Sequence, residues 1–211
     1  MIVTQPERIL LLRDISSLAH YVKGKILDVG GGNGNRYRSL FKCESYTTLD
    51  INGESDILAS SEKIPLPDSS VDTILCFQLF HYFIDPLPSL KEMHRVLKQG
   101  GVFLLSFPQF ITLHPTTRCT FTMLAMRELC EQAGFNIIEV KARGRLPSAI
   151  AQTVIRAICN RWNPYKSRSM YLVAPISWLL SRIALFLDRF FHDEMFSMGF
   201  VMASESVHRG G

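Results

Sequence analysis

Several things are scarce in this chain, and each scarcity closes off a class of protein. No apolar run reaches the ~20 residues a membrane-spanning helix needs. The most apolar stretch, within residues 170–191, is interrupted by Arg182. No Cys-x-x-Cys pair occurs, and the five cysteines (Cys43, Cys76, Cys119, Cys130, Cys159) are scattered and odd in number. That argues against a disulfide framework or a zinc site and for reduced thiols in a cytoplasmic protein. The opening MIVTQPERILLLRD sets acids and arginines around a short apolar run, so no secretory signal is expected. A net charge of +4 falls short of the dense basic patch that nucleic acid demands. No metal cluster is expected either, because His192-Asp193-Glu194 has no second group of ligands to join and reads as a solvated turn.

What is present is a globular composition, 47% apolar and 20% charged over 211 residues, enough for one substantial core. The stretch from Lys25 to Asp50 organises it. A short apolar strand, Ile26 to Val29, runs into Gly30-Gly31-Gly32-Asn33-Gly34. A helical stretch is expected next, then a second strand, Tyr46 to Leu49, ending on Asp50 with Ile51 beside it. Glycines let main-chain N–H groups approach a ligand where a Cβ would collide. An acid one strand over can accept hydrogen bonds from both hydroxyls of a ribose. The unit is built to hold a nucleoside. A dinucleotide site wants G-x-G-x-x-G, and the third glycine position here is Asn35. Asp28, just ahead of the turn, would repel a pyrophosphate but suits an ammonium.

The pattern Asp-x-Gly-x-Gly-x-Gly resembles motif I of the class I S-adenosylmethionine-dependent methyltransferases, small-molecule enzymes of the ubiquinone and menaquinone type. The likeness continues in the family's order. Residues 54–72, with Ile57-Leu58-Ala59 as a short third strand and Pro65 and Pro67 enforcing an extended loop, resemble the family stretch around strand three. Residues 77–86 and the run Arg95-Val96-Leu97-Lys98-Gln99-Gly100-Gly101 resemble its next two motifs, the glycine pair reading as a helix cap and turn. Phe121-Thr122 and Ala133-Gly134-Phe135 resemble the helix that precedes strand six. Gln99 and Phe80 depart from the family's proline and glutamate.

The resemblance implies a Rossmann-like, seven-stranded, mostly parallel sheet with an antiparallel last strand and helices on both faces. S-adenosyl-L-methionine is the implied cofactor. The loop Gly30–Gly34 would hold its methionine end, and Asp28 would orient that loop and help hold the ammonium. Asp50 and Ile51 would meet the ribose, with Ser60, and Ser61 next to it, at the adenine edge in place of the family's acid. Phe77 and Gln78 would flank the cofactor, since open α/β sheets bind ligands at strand C-termini. Tyr21 has two readings, pocket lining and packing. His81 is the candidate base, against a packing role, because methyl transfer mainly needs alignment of nucleophile, methyl and sulfur. His114 has the same ambiguity.

The expected organisation is one domain: an N-terminal helix in 1–24, capped by Thr4 with Glu7; a cofactor-binding core, 25–142; a helical insertion between strands six and seven, 143–196; and the last strand, 197–206. Within the insertion, Ser177, Ser181, Arg182, Asp188 and Arg189 confine polarity to one stripe and leave a wide apolar face. Self-packing on helix 148–162, a lid over an apolar substrate, a dimer seam, or a membrane-surface contact flanked by Arg161, Lys166 and Arg168 would each cover it. The functional expectation is methyl transfer to a small-molecule or lipid-linked acceptor. A non-catalytic binding module and a nicotinamide-dependent oxidoreductase are the alternatives.

Overall fold

A computed structural model describes residues 5–33, 36–109, 117–162 and 170–207. Strands β1 (Lys25–Val29), β2 (Ser45–Asp50), β3 (Ile57–Leu58), β4 (Val71–Phe77), β5 (Leu97–Pro108), β6 (Phe135–Arg143) and β7 (Gly199–Ser206) form one sheet in the order β3-β2-β1-β4-β5-β7-β6. β7 slots antiparallel between β5 and β6, with Leu105 opposite Met202 and Val140 opposite Met202 on its other side. The remaining pairs are parallel. The expected mixed seven-stranded architecture is therefore what the chain adopts.

The central strands read as unbroken apolar runs because both faces are covered. Leu27, Ile74 and Cys76 face one side, where Leu90, Met93 and Val96 of α2 (Leu87–Val96) and Met126 and Cys130 of α3 (Met123–Gln132) close over them. Ile26, Leu75 and Leu104 face the other, beneath Leu11, Ile15 and Leu18 of α1 (Pro6–Leu18). Thr122 caps α3 as its sequence suggests, its hydroxyl accepting the Ala125 N–H at 3.2 Å. Gly134 ends that helix at φ 100°. Thr122→Ala is expected to cost about 1 kcal/mol, read as an earlier chemical-denaturation midpoint; an unmoved midpoint would show the cap to be idle.

Four local expectations need correction. Thr4 lies outside the described residues, and α1 starts at Pro6 behind Gln5, which makes no side-chain cap. Glu7 is spent instead on Arg156, at 2.8 Å. The helix stops at Leu18, and a short 3-10 turn, Ala19–Tyr21, carries the chain to β1. No α-helix is seen among the described residues between β1 and β2, where only a 3-10 turn, Arg38–Leu40, forms. The crossing is short, and Tyr37 and Phe41 are both drawn into the core, with Tyr37 edge-on to Phe77 at 5.0 Å. That leaves no slack for a helix to wind. Gly100 and Gly101 do not cap α2, since Leu97 leaves the helix and already pairs with Val71. The glycines absorb the irregularity that follows.

Between β6 and β7 lie two helices, α4 (Leu146–Trp162) and α5 (Met170–Leu187), which pack on each other and on α1. The expected polar stripe of α5 splits. Ser177 and Ser181 are buried against the protein, while Arg182 and Arg189 are exposed.

Candidate functional site

Parallel strands put their C-terminal ends on one edge, and there the sheet order brings β3, β2, β1 and β4 side by side. Glycine geometry dominates the tip of β1. Gly30 and Gly32 take φ of 77° and 55°, in the left-handed region other residues avoid. Gly30 donates its N–H to the Leu49 carbonyl at 2.7 Å, tying the loop to β2. A Cβ on Gly31 would land on the Asp28 carboxylate, so only glycine fits over that acid. Asn33 is exposed, and Gly34 lies outside the described residues with Asn35.

Asp28 is buried beneath this loop and accepts the Tyr46 hydroxyl at 2.6 Å. Burial pushes its carboxyl up to about 6, although the Tyr46 hydrogen bond and the Arg36 charge pull the other way. Asp50, at the tip of β2, accepts the Gly32 N–H at 3.2 Å on one oxygen and the Asn52 N–H at 3.0 Å on the other. A carboxylate has about four lone-pair sites, so capacity for two hydroxyl donors is left. Ile51 beside it is 65% exposed, a bare apolar surface next to a polar anchor.

The stretch after β3 is held by Arg95, whose guanidinium binds Asp68 and Glu92 and donates to the Ile64 and Leu66 carbonyls at 2.9 and 3.0 Å. This is the physical content of the Arg-Val-Leu-Lys run: one arginine straps a proline-rich loop onto α2. Ser60 is exposed on that loop, its hydroxyl accepting the Glu62 N–H. Ser61 points inward to the Ser89 hydroxyl at 2.9 Å, so its side chain is spent on packing against α2.

On the other side of the loop, Phe77 is buried and Gln78 takes φ 57°. With its amide oxygen turned inward, Gln78 accepts from the Ser106 hydroxyl at 3.1 Å and from both terminal nitrogens of Arg143 at 3.0 and 3.2 Å. His81 sits in the 3-10 turn Phe80–Tyr82 and is buried with its ring 4.0 Å from that of Tyr82, while its carbonyl accepts the Arg118 N–H at 2.9 Å. Tyr21 lies ahead of the N-terminal end of β1, opposite the loop, with its hydroxyl on Glu139 at 2.9 Å. His114 is outside the described residues. Burial pushes the Cys76 thiol up and the Cys130 thiol to about 12, so neither offers a thiolate.

Arg143 was not legible as a site residue. It ends β6, is wholly buried, and has Glu7 at a long 3.9 Å. Burial lowers its pKa, with the Glu7 and Asp14 carboxylates opposing that shift. Asp14 itself is buried, and desolvation raises its carboxyl despite Arg13 at 2.9 Å. A chain Arg143–Gln78–Ser106 thus ties the tips of β6, β4 and β5 together. The only hint in the sequence is a cation at the end of the strand, immediately before Gly144.

This strand order and this loop-and-acid geometry are similar to those of class I S-adenosylmethionine-dependent methyltransferases. Residues 27–105 match the methyltransferase domain family. Among similar proteins, one from Mycolicibacterium smegmatis, named as a probable S-adenosylmethionine-dependent methyltransferase, is 37% identical over 83 residues, covering 36% of this chain and 32% of that protein. The rice chloroplast 2-methyl-6-phytyl-1,4-hydroquinone methyltransferase 1 is 32% identical over 109 residues, covering 44% of this chain and 32% of its own. The matched stretch is thus about a third of the length of either relative. In fold, the chain is similar to the Haemonchus contortus phosphoethanolamine N-methyltransferase 2 solved with S-adenosylhomocysteine, at a TM-score of 0.57 and 13% identity over 93% of this chain and 52% of that one. The similar proteins are named for S-adenosylmethionine-dependent methyl transfer, and the nicotinamide alternative gains no support from them.

Proposed function

We propose that the chain transfers a methyl group from S-adenosyl-L-methionine to a small-molecule or lipid-linked acceptor, acting as a single methyltransferase domain. The observation that carries this reading is the fixed pairing of Asp50 with the Gly32 N–H, which sets a carboxylate beside a main-chain cradle that only glycine can form. When bound, the cofactor supplies a methyl on a sulfonium, already joined to an excellent leaving group. The chain's own residues bind and orient. Asp50 accepts the ribose hydroxyls and Ile51 packs beside them. Gly30, Gly31, Gly32, Asn33 and Gly34 hold the methionine end, and Asp28 fixes that loop from below while favouring a nearby ammonium. Ser60 offers a hydroxyl, and Ser61 its backbone, at the adenine edge. Phe77 and Gln78 border the methyl, with Gln78 held in place by Arg143. His81 is the nearest imidazole to that end of β4 in sequence; proximity and alignment carry the reaction whether or not it moves a proton.

A lipid-linked acceptor is favoured by the phytyl hydroquinone in the rice relative's name. The scattered, unpaired thiols fit a cytoplasmic setting. The test is calorimetric titration with S-adenosylhomocysteine, with NADH in parallel. Saturable binding of the former alone supports the proposal. No heat from the former at about millimolar concentration, or preferential binding of NADH, would sink it. Binding without methyl-donor turnover on any lipid or small-molecule extract would favour the non-catalytic module.

A further inference from the structure

We infer that α5 is a docking helix for an anionic lipid bilayer, lying along the membrane surface with its apolar stripe inserted. The helix keeps a second apolar face in addition to the one it packs inward. Against the protein it presents Val173, Ala174, Ser177, Ser181 and Ala184, all buried, with Leu180 and Leu185 half-buried beside them and Ser177 and Ser181 satisfied by the helix's own carbonyls at 2.9 and 2.6 Å. Toward the outside it presents Ile176, Leu179, Ile183 and Phe186, continued by Phe190 in the 3-10 turn Asp188–Phe190, each 48–66% exposed. Their spacing of three and four residues places them on one face. A helix that only needed to close the core would turn the large side chains inward. Leaving these five large side chains outside as well makes a continuous apolar stripe that some other phase must cover.

Charge identifies that phase. Next to the stripe, Arg182 lies over the Trp178 ring at 5.5 Å and Arg189 over the Phe186 ring at 5.9 Å. Arginine and tryptophan flanking an apolar face are the side chains that favour a headgroup region, cations to phosphate and indole to the boundary. The only acid from Met170 to His192 is Asp188. It is turned inward, accepting the Ser148 N–H at 3.0 Å, so it does not offset the arginines on the outer surface. A second copy packed on this face would find no outward acid on α5 itself to pair with these arginines, and of the exposed Asp193 and Glu194 that follow the helix, Glu194 already pairs with Arg145 at 3.2 Å. An anionic bilayer meets both the charge and the apolar area.

The helix lies on the membrane and does not span it. Among the described residues, no helix is long and apolar enough to cross one. A dry crevice of about 140 Å³ between α4 and α5, lined by Ile155, Ile158, Val173 and Leu180, opens beside Ile176 and has room for a short piece of hydrocarbon chain. The inference rests on the α5 surface alone, so it stands or falls separately from methyl transfer.

The experiment is flotation of the full chain with vesicles of phosphatidylcholine containing about a third phosphatidylglycerol, against pure phosphatidylcholine, at low salt and at about 0.5 M salt, where surface attraction is screened. The chain is expected to float with the anionic vesicles and to be released by salt. Arg182→Ala with Arg189→Ala should weaken binding roughly tenfold or more, and Ile183→Glu with Phe186→Glu should abolish it. Because all four side chains point outward, the melting temperature and the S-adenosylhomocysteine titration should be unchanged in both variants. The inference is overturned if the parent does not float, if the glutamate variant floats equally well, or if the parent sediments as a dimer that the glutamate substitutions dissolve.

Discussion

Replacing Asp50 with alanine is expected to weaken S-adenosylhomocysteine binding by about 1.5–3 kcal/mol, the worth of hydrogen bonds to a charged acceptor. In a titration that is roughly a ten- to hundredfold loss of affinity. Two effects combine. The ribose loses its acceptor, and the Gly32 N–H loses the carboxylate that sets the loop's height above β2. Asp50→Asn separates them, because an amide oxygen can still take the Gly32 N–H but brings no charge to the hydroxyl donors. The asparagine variant should recover the melting temperature of the ligand-free chain and only part of the affinity. If calorimetry returned the parental affinity for Asp50→Ala, the assignment of this strand tip to the cofactor would fail.

Local features were the readable ones. The Gly30–Gly32 turn and Asp50 declare themselves because adjacent residues set both conformation and chemistry, and the strand pairing of Asp28 with Thr48 and Val29 with Leu49 follows from that short unit. Thr122 and Gly134 were legible for the same reason. What depends on the sheet order was not. Arg143 reaches Gln78 only because β7 inserts between β5 and β6 and carries the tip of β6 over Gly199, where a Cβ would strike the guanidinium. Tyr46 looked like an ordinary strand residue, yet its hydroxyl is the partner of buried Asp28. For α5 the periodicity disclosed two faces but not which of them meets the protein. Large apolar side chains lie on both faces, and the inward one mixes Val173 and Leu180 with Ser177 and Ser181.

Asp28 gives the converse of Asp50: a residue that costs stability where the proposed site gains a charge. Burial lifts its pKa from 3.8 to about 6, so the folded chain holds this proton more tightly than the unfolded chain does. The consequent stabilisation is complete below the ordinary carboxylate value, fades as pH rises through about 6, and is absent at neutrality. There the ionised carboxylate, nearly cut off from water, is a burden that the Tyr46 hydroxyl only partly relieves. Asp28→Asn removes the charge and keeps an acceptor for Tyr46. It should therefore stabilise the ligand-free chain by about 1–3 kcal/mol at pH 7–8, with the advantage vanishing near about pH 4. Other carboxylates titrate in both proteins and cancel in the comparison; Asp72, held low by the Lys25 N–H and Lys98, is one. Cofactor affinity should move the opposite way, because an amide no longer favours an ammonium at the loop. Stability and binding then part company at a single atom pair, as expected where a buried acid is kept for its charge. Denaturation of both proteins across this pH range checks the first half, and titration at neutral pH the second. A variant no more stable than its parent at pH 8 would mean that the loop solvates Asp28 far better than its burial implies.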